Sequence, residues 1–187
     1  MTDREKLSKA VGLVAWGYIF IYFNINLGPL DILPNFVGYI FILNSLETLA
    51  IEEKSTILLK PIVYILIVWE ILKLLNGFVA LTPSGYIYSI LNTIVIVVSL
   101  YYNFQLFTNL ASIAEKYFCK QKDGLLILRT VYTILLTTVS VLGVIRINED
   151  IMSIISLGLI AVTVVIIIST SAVLFGLKNS ILKLHFT

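Results

Sequence analysis

Six apolar runs follow one another along this chain, and almost all of its cations fall in alternate gaps between them. Of the thirteen Lys and Arg residues, Arg4, Lys6 and Lys9 precede the first run, and Lys54 and Lys60 lie between the second and third. Lys116, Lys120, Lys122 and Arg129 surround the gap between the fourth and fifth runs, and Lys178 and Lys183 follow the sixth. The intervening gaps hold Arg146 alone, and Lys73 lies inside the third run. Short connections rich in Lys and Arg stay on the cytoplasmic side of a membrane. The alternation therefore predicts an all-α polytopic membrane protein, a bundle of six transmembrane helices with the N-terminus and C-terminus cytoplasmic.

A helix needs about 20 apolar residues to cross the hydrocarbon core. The runs at about 11–27, 34–51, 61–81, 86–109, 125–145 and 151–177 are each long enough, some with tilt. They are continuous rather than alternating, which excludes a β-barrel. Only 13% of residues are charged, where a soluble domain carries about 25%. The gaps leave no room for a further folded unit, so residues 1–187 read as a single transmembrane domain. The first run, with no small-residue cleavage site behind it, reads as a retained helix rather than a signal peptide. The single cysteine, Cys119, excludes an intramolecular disulfide. It reads as an inert interfacial thiol, with reversible lipidation the alternative.

Local signals set the expected boundaries. Asp31 is expected to cap the second helix, with Pro34 in its first turn. Lys122-Asp123-Gly124 is expected to form the turn before the fifth helix. Tyr22, Tyr86 and Tyr88, near the predicted outer ends, suit an interfacial aromatic belt.

The candidate site begins with Glu70 and Lys73. Each charge costs about 2.5–3.5 kcal/mol at the bilayer centre. The thirteen Leu, Ile, Val and Phe residues of the run 61–81 return about 0.3–0.6 kcal/mol each, so this helix is marginal by itself. Spacing i, i+3 places the pair on one face, which is expected to look into the bundle while Ile67, Ile71, Leu74 and Phe78 meet lipid. An intramembrane ionisable pair reads as an ion, proton or ligand contact or as a structural ion pair that fixes helix register. A second cluster, Asn24, Asn26, Asp31 and Asn35, gathers at the predicted outer mouth. That side carries Arg146 against Asp31, Glu149 and Asp150, a net charge of −2 that attracts cationic ligands. Ordinary capping and turn roles are the alternative there.

Gly28-Pro29-Leu30-Asp31-Ile32-Leu33-Pro34-Asn35-Phe36-Val37-Gly38-Tyr39 resembles a segment of small bacterial integral-membrane proteins of unassigned function. The resemblance spans the first two helices and implies a bacterial multipass membrane protein. In size and topology the predicted bundle also resembles the substrate-binding subunits of energy-coupling-factor vitamin transporters, although Ala10 and Ala15 do not reproduce their paired-alanine spacing.

Ser89, Asn92, Ser99 and Asn103 form a polar stripe on the fourth run, suited to joining helices or lining a passage. Candidate ligand or ion contacts are thus Glu70, Lys73, Asn24, Asn26, Asp31 and Asn92. His185 is the single histidine, and no nucleophile-elbow, zincin or P-loop pattern occurs, so no catalytic residue, metal or cofactor is implied. The cations are too few for a nucleic-acid footprint. The expected partners are the lipid bilayer, a small-molecule ligand and a membrane-protein partner. Three functions remain open: binding or transport of a small molecule or ion between helices; an accessory, regulatory or immunity role on another membrane protein; and, disfavoured by the missing catalytic groups, an intramembrane enzyme.

Overall fold

The structure is a computed structural model that describes residues 3–22, 26–27, 30–31, 34–79, 85–142 and 149–183. Six helices occupy the six apolar runs: α1 Asp3–Tyr22, α2 Asn35–Glu52, α3 Leu59–Val79, α4 Gly85–Lys116, α5 Gln121–Leu142 and α6 Glu149–Lys183. A 3₁₀ turn, Lys54–Leu58, joins α2 to α3. Between α1 and α2 a two-residue antiparallel ladder, β1 Asn26–Leu27 with β2 Leu30–Asp31, pairs Asn26 with Asp31 and Leu27 with Leu30.

Among the described residues three segments are long and apolar enough to cross a membrane: Ile90–Lys116, Gln121–Leu142 and Ser153–Lys183. The molecule is a membrane-associated helical protein. The charges that α1, α2 and α3 carry along their lengths, Lys6 and Lys9, Glu47 and Glu52, and Lys60, Glu70 and Lys73, keep those helices more polar.

Each helix packs on its neighbour in chain order, and α6 returns to α1, which closes a ring. The interior of the ring is filled from α1 by Val11, Val14, Ala15 and Tyr18, all buried, against Ile42, Leu46 and Leu49 of α2 and Leu174 and Leu177 of α6. Packing is tightest at the end that carries most of the cations. There Leu7, Leu49, Leu59, Leu110, Ile113, Leu125 and Ile181 are all buried. Toward the other end α4, α5 and α6 turn Ile94, Val97, Ile134, Ile154 and Leu157 outward. Within the ring, α1 and α2 meet backbone to backbone: a Cβ at Gly38 would lie 2.4 Å from the Gly17 carbonyl oxygen. Only two glycines facing one another allow that approach.

Several boundaries differ from the sequence expectation. α1 starts at Asp3 rather than near Val11, so Arg4, Lys6 and Lys9 ride on its first turns. The residue before α2 is Pro34, which offers no side-chain cap. Asp31 is instead paired in the ladder, which takes its backbone away from the helix end. Lys122, Asp123 and Gly124 lie inside the first turn of α5. The chain reverses earlier, where the Cys119 N–H donates to the Ala114 carbonyl at 2.8 Å and the Phe118 N–H to the Glu115 carbonyl at 3.0 Å. These bonds form a Schellman motif, normally closed by glycine in the left-handed region; here Phe118 takes that place at φ 51°. Tyr22 turns inward onto Tyr18 and Tyr132 rather than joining a belt, and Ile67 packs against the core.

Candidate functional site

α2 and α3 run antiparallel, and this brings the first residue of α2 over the middle of α3. Glu70, whose side chain is 15% exposed, holds Lys73 Nζ at 2.6 Å from one carboxylate oxygen. Its other oxygen accepts a hydrogen bond from Asn35 Nδ2 at 3.3 Å. The i, i+3 spacing predicted the pairing with Lys73; the Asn35 contact required the fold. Lys73, 38% exposed, sits at the rim of the group. The Asn35 Oδ1 atom is buried and accepts no hydrogen bond among the described residues, and the same holds for Asn76 Oδ1 six residues beyond Glu70. Buried amide oxygens are nearly always paired, and leaving one open costs about 1–3 kcal/mol. Tyr39 follows Asn35 by one turn on α2.

Behind Tyr39 lies a cluster that no sequence pattern announced. The Tyr39 ring meets Tyr102 edge-on at 5.9 Å. Tyr18 packs on Tyr22 at 6.0 Å, on Phe107 at 5.4 Å and on Tyr132 at 6.0 Å, and Phe107 stacks on Tyr132 at 5.2 Å. The hydroxyls are tied unequally. Tyr18 Oη donates to Asn103 Oδ1 at 2.6 Å, and Asn103 Nδ2 donates to the Ser99 carbonyl at 2.8 Å. Thr170 Oγ1 donates to the Ile166 carbonyl at 2.7 Å, which leaves it to accept from Tyr132 Oη at 3.2 Å. Tyr102 is 1% exposed, and its hydroxyl makes no hydrogen bond of ordinary geometry among the described residues. Tyrosines from four helices thus pack inside the bundle. The sequence signal, in retrospect, was the placement of Tyr18, Tyr39, Tyr102 and Tyr132 deep within apolar runs.

Other candidate residues are placed as follows. Asn92 is half-buried on α4, and no hydrogen bond among the described residues joins it to the Glu70 group. Asn24 and the side chains of Asn26 and Asp31 lie outside the described residues, as do Phe78 and the polar residues of the other predicted outer gaps. In the polar stripe, Asn103 joins α4 to α1 through Tyr18; the side chain of Ser89 lies outside the described residues.

At the basic end a second polar group is fully tied. Ser55 Oγ donates to Glu53 Oε1 at 2.9 Å and Ser112 Oγ to Glu53 Oε2 at 3.0 Å. Asn109, with its amide oriented to satisfy its neighbours, accepts from Thr56 Oγ1 at 3.1 Å and donates to Ser55 Oγ at 3.0 Å. The Ser55 and Ser112 hydrogen bonds hold the Glu53 carboxyl below its ordinary range. Burial pushes the Cys119 thiol up, away from the reactive thiolate. With its members paired, this group ties the 3₁₀ turn between α2 and α3 to α4. Among the described residues no cluster of His, Cys, Asp or Glu is arranged to hold a metal ion.

No family model matches the chain, and neither a curated protein nor a solved structure matches it. Fold and site together define a helical membrane-associated protein with an interior ion pair backed by buried tyrosines.

Proposed function

We propose that this protein spans a cell membrane six times with both ends cytoplasmic, as in a bacterial plasma membrane, and binds or transports a small molecule or ion between α2 and α3. Glu70, Lys73 and Asn35 form the site, and Asn24, Asn26, Asp31 and Asn92 are assigned to the approach from the outer face. The supporting observation is an incomplete polar group: a largely buried carboxylate with one ammonium partner and, bonded to it, an amide whose oxygen is buried and open. Taking each ion from water costs several kcal/mol, and a structural pair recovers this by closing its remaining hydrogen bonds. An open acceptor beside a carboxylate suits a cation or a polar ligand bearing N–H or O–H donors. Lys73, the more exposed partner, can swing aside or meet an acidic group on the ligand.

Native mass spectrometry of the purified protein tests this reading. The wild type is expected to carry a small molecule that Glu70→Gln loses while expression and monodispersity hold. A ligand retained equally by both would sink the assignment to Glu70. Phe118, 97% exposed on a left-handed turn, favours a second reading, that of an accessory, regulatory or immunity protein docking on a membrane partner. An empty interior with a stoichiometric partner in pull-down would select it.

A further inference from the structure

Arg129 is a cation that neither the fold nor the Glu70 site accounts for. It lies eight residues into α5, about 12 Å along the axis at ~1.5 Å per residue, inside a segment apolar enough to cross a membrane. No carboxylate among the described residues reaches it within ion-pair distance. Its guanidinium lies over the Phe104 ring at 4.9 Å and donates one long hydrogen bond, from Nη1 to Thr108 Oγ1 at 3.4 Å. Thr108 spends its own proton on the Phe104 carbonyl at 2.7 Å. Nε is buried and meets no acceptor among the described residues, although a guanidinium offers five N–H donors. The α4 face it lies against is open to the outside of the ring, with Phe104 40% exposed, as on a surface that meets acyl chains.

The direction of the side chain supplies the ligand. Helical side chains tilt toward their own N-terminus, and the N-terminus of α5 is the basic end of the bundle. Arg129 therefore reaches back toward the polar boundary of that leaflet, as long cations near helix ends do. Lys122 lies two turns nearer that boundary on the same face, its ammonium 2.6 Å from Glu115. A guanidinium fork matches the geometry of a phosphate, and a basic leaflet boundary favours anionic lipid. We infer that Arg129, held by Phe104 and Thr108 in the crevice between α4 and α5, binds the phosphate of an anionic phospholipid from the leaflet at the basic end. The inference rests on α4 and α5 lying in a membrane and is independent of the Glu70 reading.

The protein reconstituted in bilayer discs of equal phosphatidylglycerol and phosphatidylcholine, then released for native mass spectrometry, provides the test. Wild type is expected to retain phosphatidylglycerol with a preference of about tenfold. Arg129→Gln is expected to lose that preference while remaining monodisperse, and Arg129→Lys to keep part of it, since an ammonium offers a point charge rather than a fork. Equal retention of the two lipids by the wild type overturns the inference without recourse to any variant. So does unaltered retention in Arg129→Gln, displacement of the lipid by millimolar inorganic phosphate, or recovery of a protein helix cross-linked at position 129 in place of lipid.

Discussion

Alanine at Gly38 probes how the bundle holds α2 at the level of the Glu70 site. The added Cβ would meet the Gly17 carbonyl oxygen at 2.4 Å, Ile21 Cγ1 at 2.7 Å and the Ile21 amide nitrogen at 3.0 Å. Carbon and oxygen approach comfortably only to about 3.3 Å, so α2 must withdraw from α1 by close to an ångström. Two of the three obstacles are backbone, so no rotamer change relieves the clash. Overpacking of this kind costs about 1–3 kcal/mol, and the better helix propensity of Ala returns about 0.8–1 kcal/mol. Since backbone must move, the upper part of the range applies and the net loss is about 1–2 kcal/mol. Gly158 is the control: a Cβ there meets nothing within 4 Å, so Gly158→Ala keeps the propensity gain without a clash. Thermal unfolding in detergent should separate the two by several degrees, at about 2–4 °C per kcal/mol for a chain of this length. A Gly38→Ala protein that melts with or above the wild type would refute the backbone contact. The same retreat should weaken the Asn35–Glu70 hydrogen bond, since Asn35 lies one turn from Gly38 on the same helix.

Two further perturbations use the inequality among buried groups. Tyr18→Phe strips the donor from a buried Asn103 oxygen and should cost about 1–3 kcal/mol, whereas Tyr102→Phe removes a hydroxyl that makes no hydrogen bond of ordinary geometry among the described residues and should cost less in the same melt; equal losses in the two variants would contradict the hydrogen-bond assignment. Phe118→Gly relieves a left-handed residue whose side chain is 97% exposed, a gain of about 1 kcal/mol, and a lower melting temperature would show that the ring supports the fold after all.

The six helices were legible because the length of an apolar run is a local property of the chain. Their ends were less so, for reasons that differ from place to place. Arg4, Lys6 and Lys9 are good helix formers, and polarity alone does not stop a helix; α1 therefore extends through them. The reversal after α4 uses a left-handed phenylalanine where composition points to glycine, and so the signal at Lys122-Asp123-Gly124 was misplaced by one turn. Glu70 and Lys73 could be paired from spacing alone, but Asn35 is thirty-five residues away in sequence and meets Glu70 only because α2 folds back along α3. A tyrosine in an apolar run can face headgroups or a packed interior with equal chemistry. The inward set of Tyr18, Tyr22 and Tyr132 follows from the ring of helices and the Gly17–Gly38 approach, neither of which is written in any single run.

The charges that lie within helices sort by where their side chains point. Glu70 and Lys73 neutralise one another on the side of α3 that meets α2, so their joint field is that of a dipole, and the polar demand left over falls on the neighbouring Asn35 amide. Arg129 lies between α4 and α5 with no carboxylate partner among the described residues, and its demand is for an anion. A bundle that required only structural cement would be expected to pair all three, as it pairs Lys60 with Glu47 at 2.5 Å and Lys122 with Glu115 at 2.6 Å at the basic end. Two different kinds of unmet valence, an acceptor set inside and a donor set outside, call for two different ligands. Loss of anionic lipid at Arg129 should therefore leave binding at Glu70 intact, and Glu70→Gln should leave lipid retention intact; coupled loss in either direction would show that the two groups belong to one site.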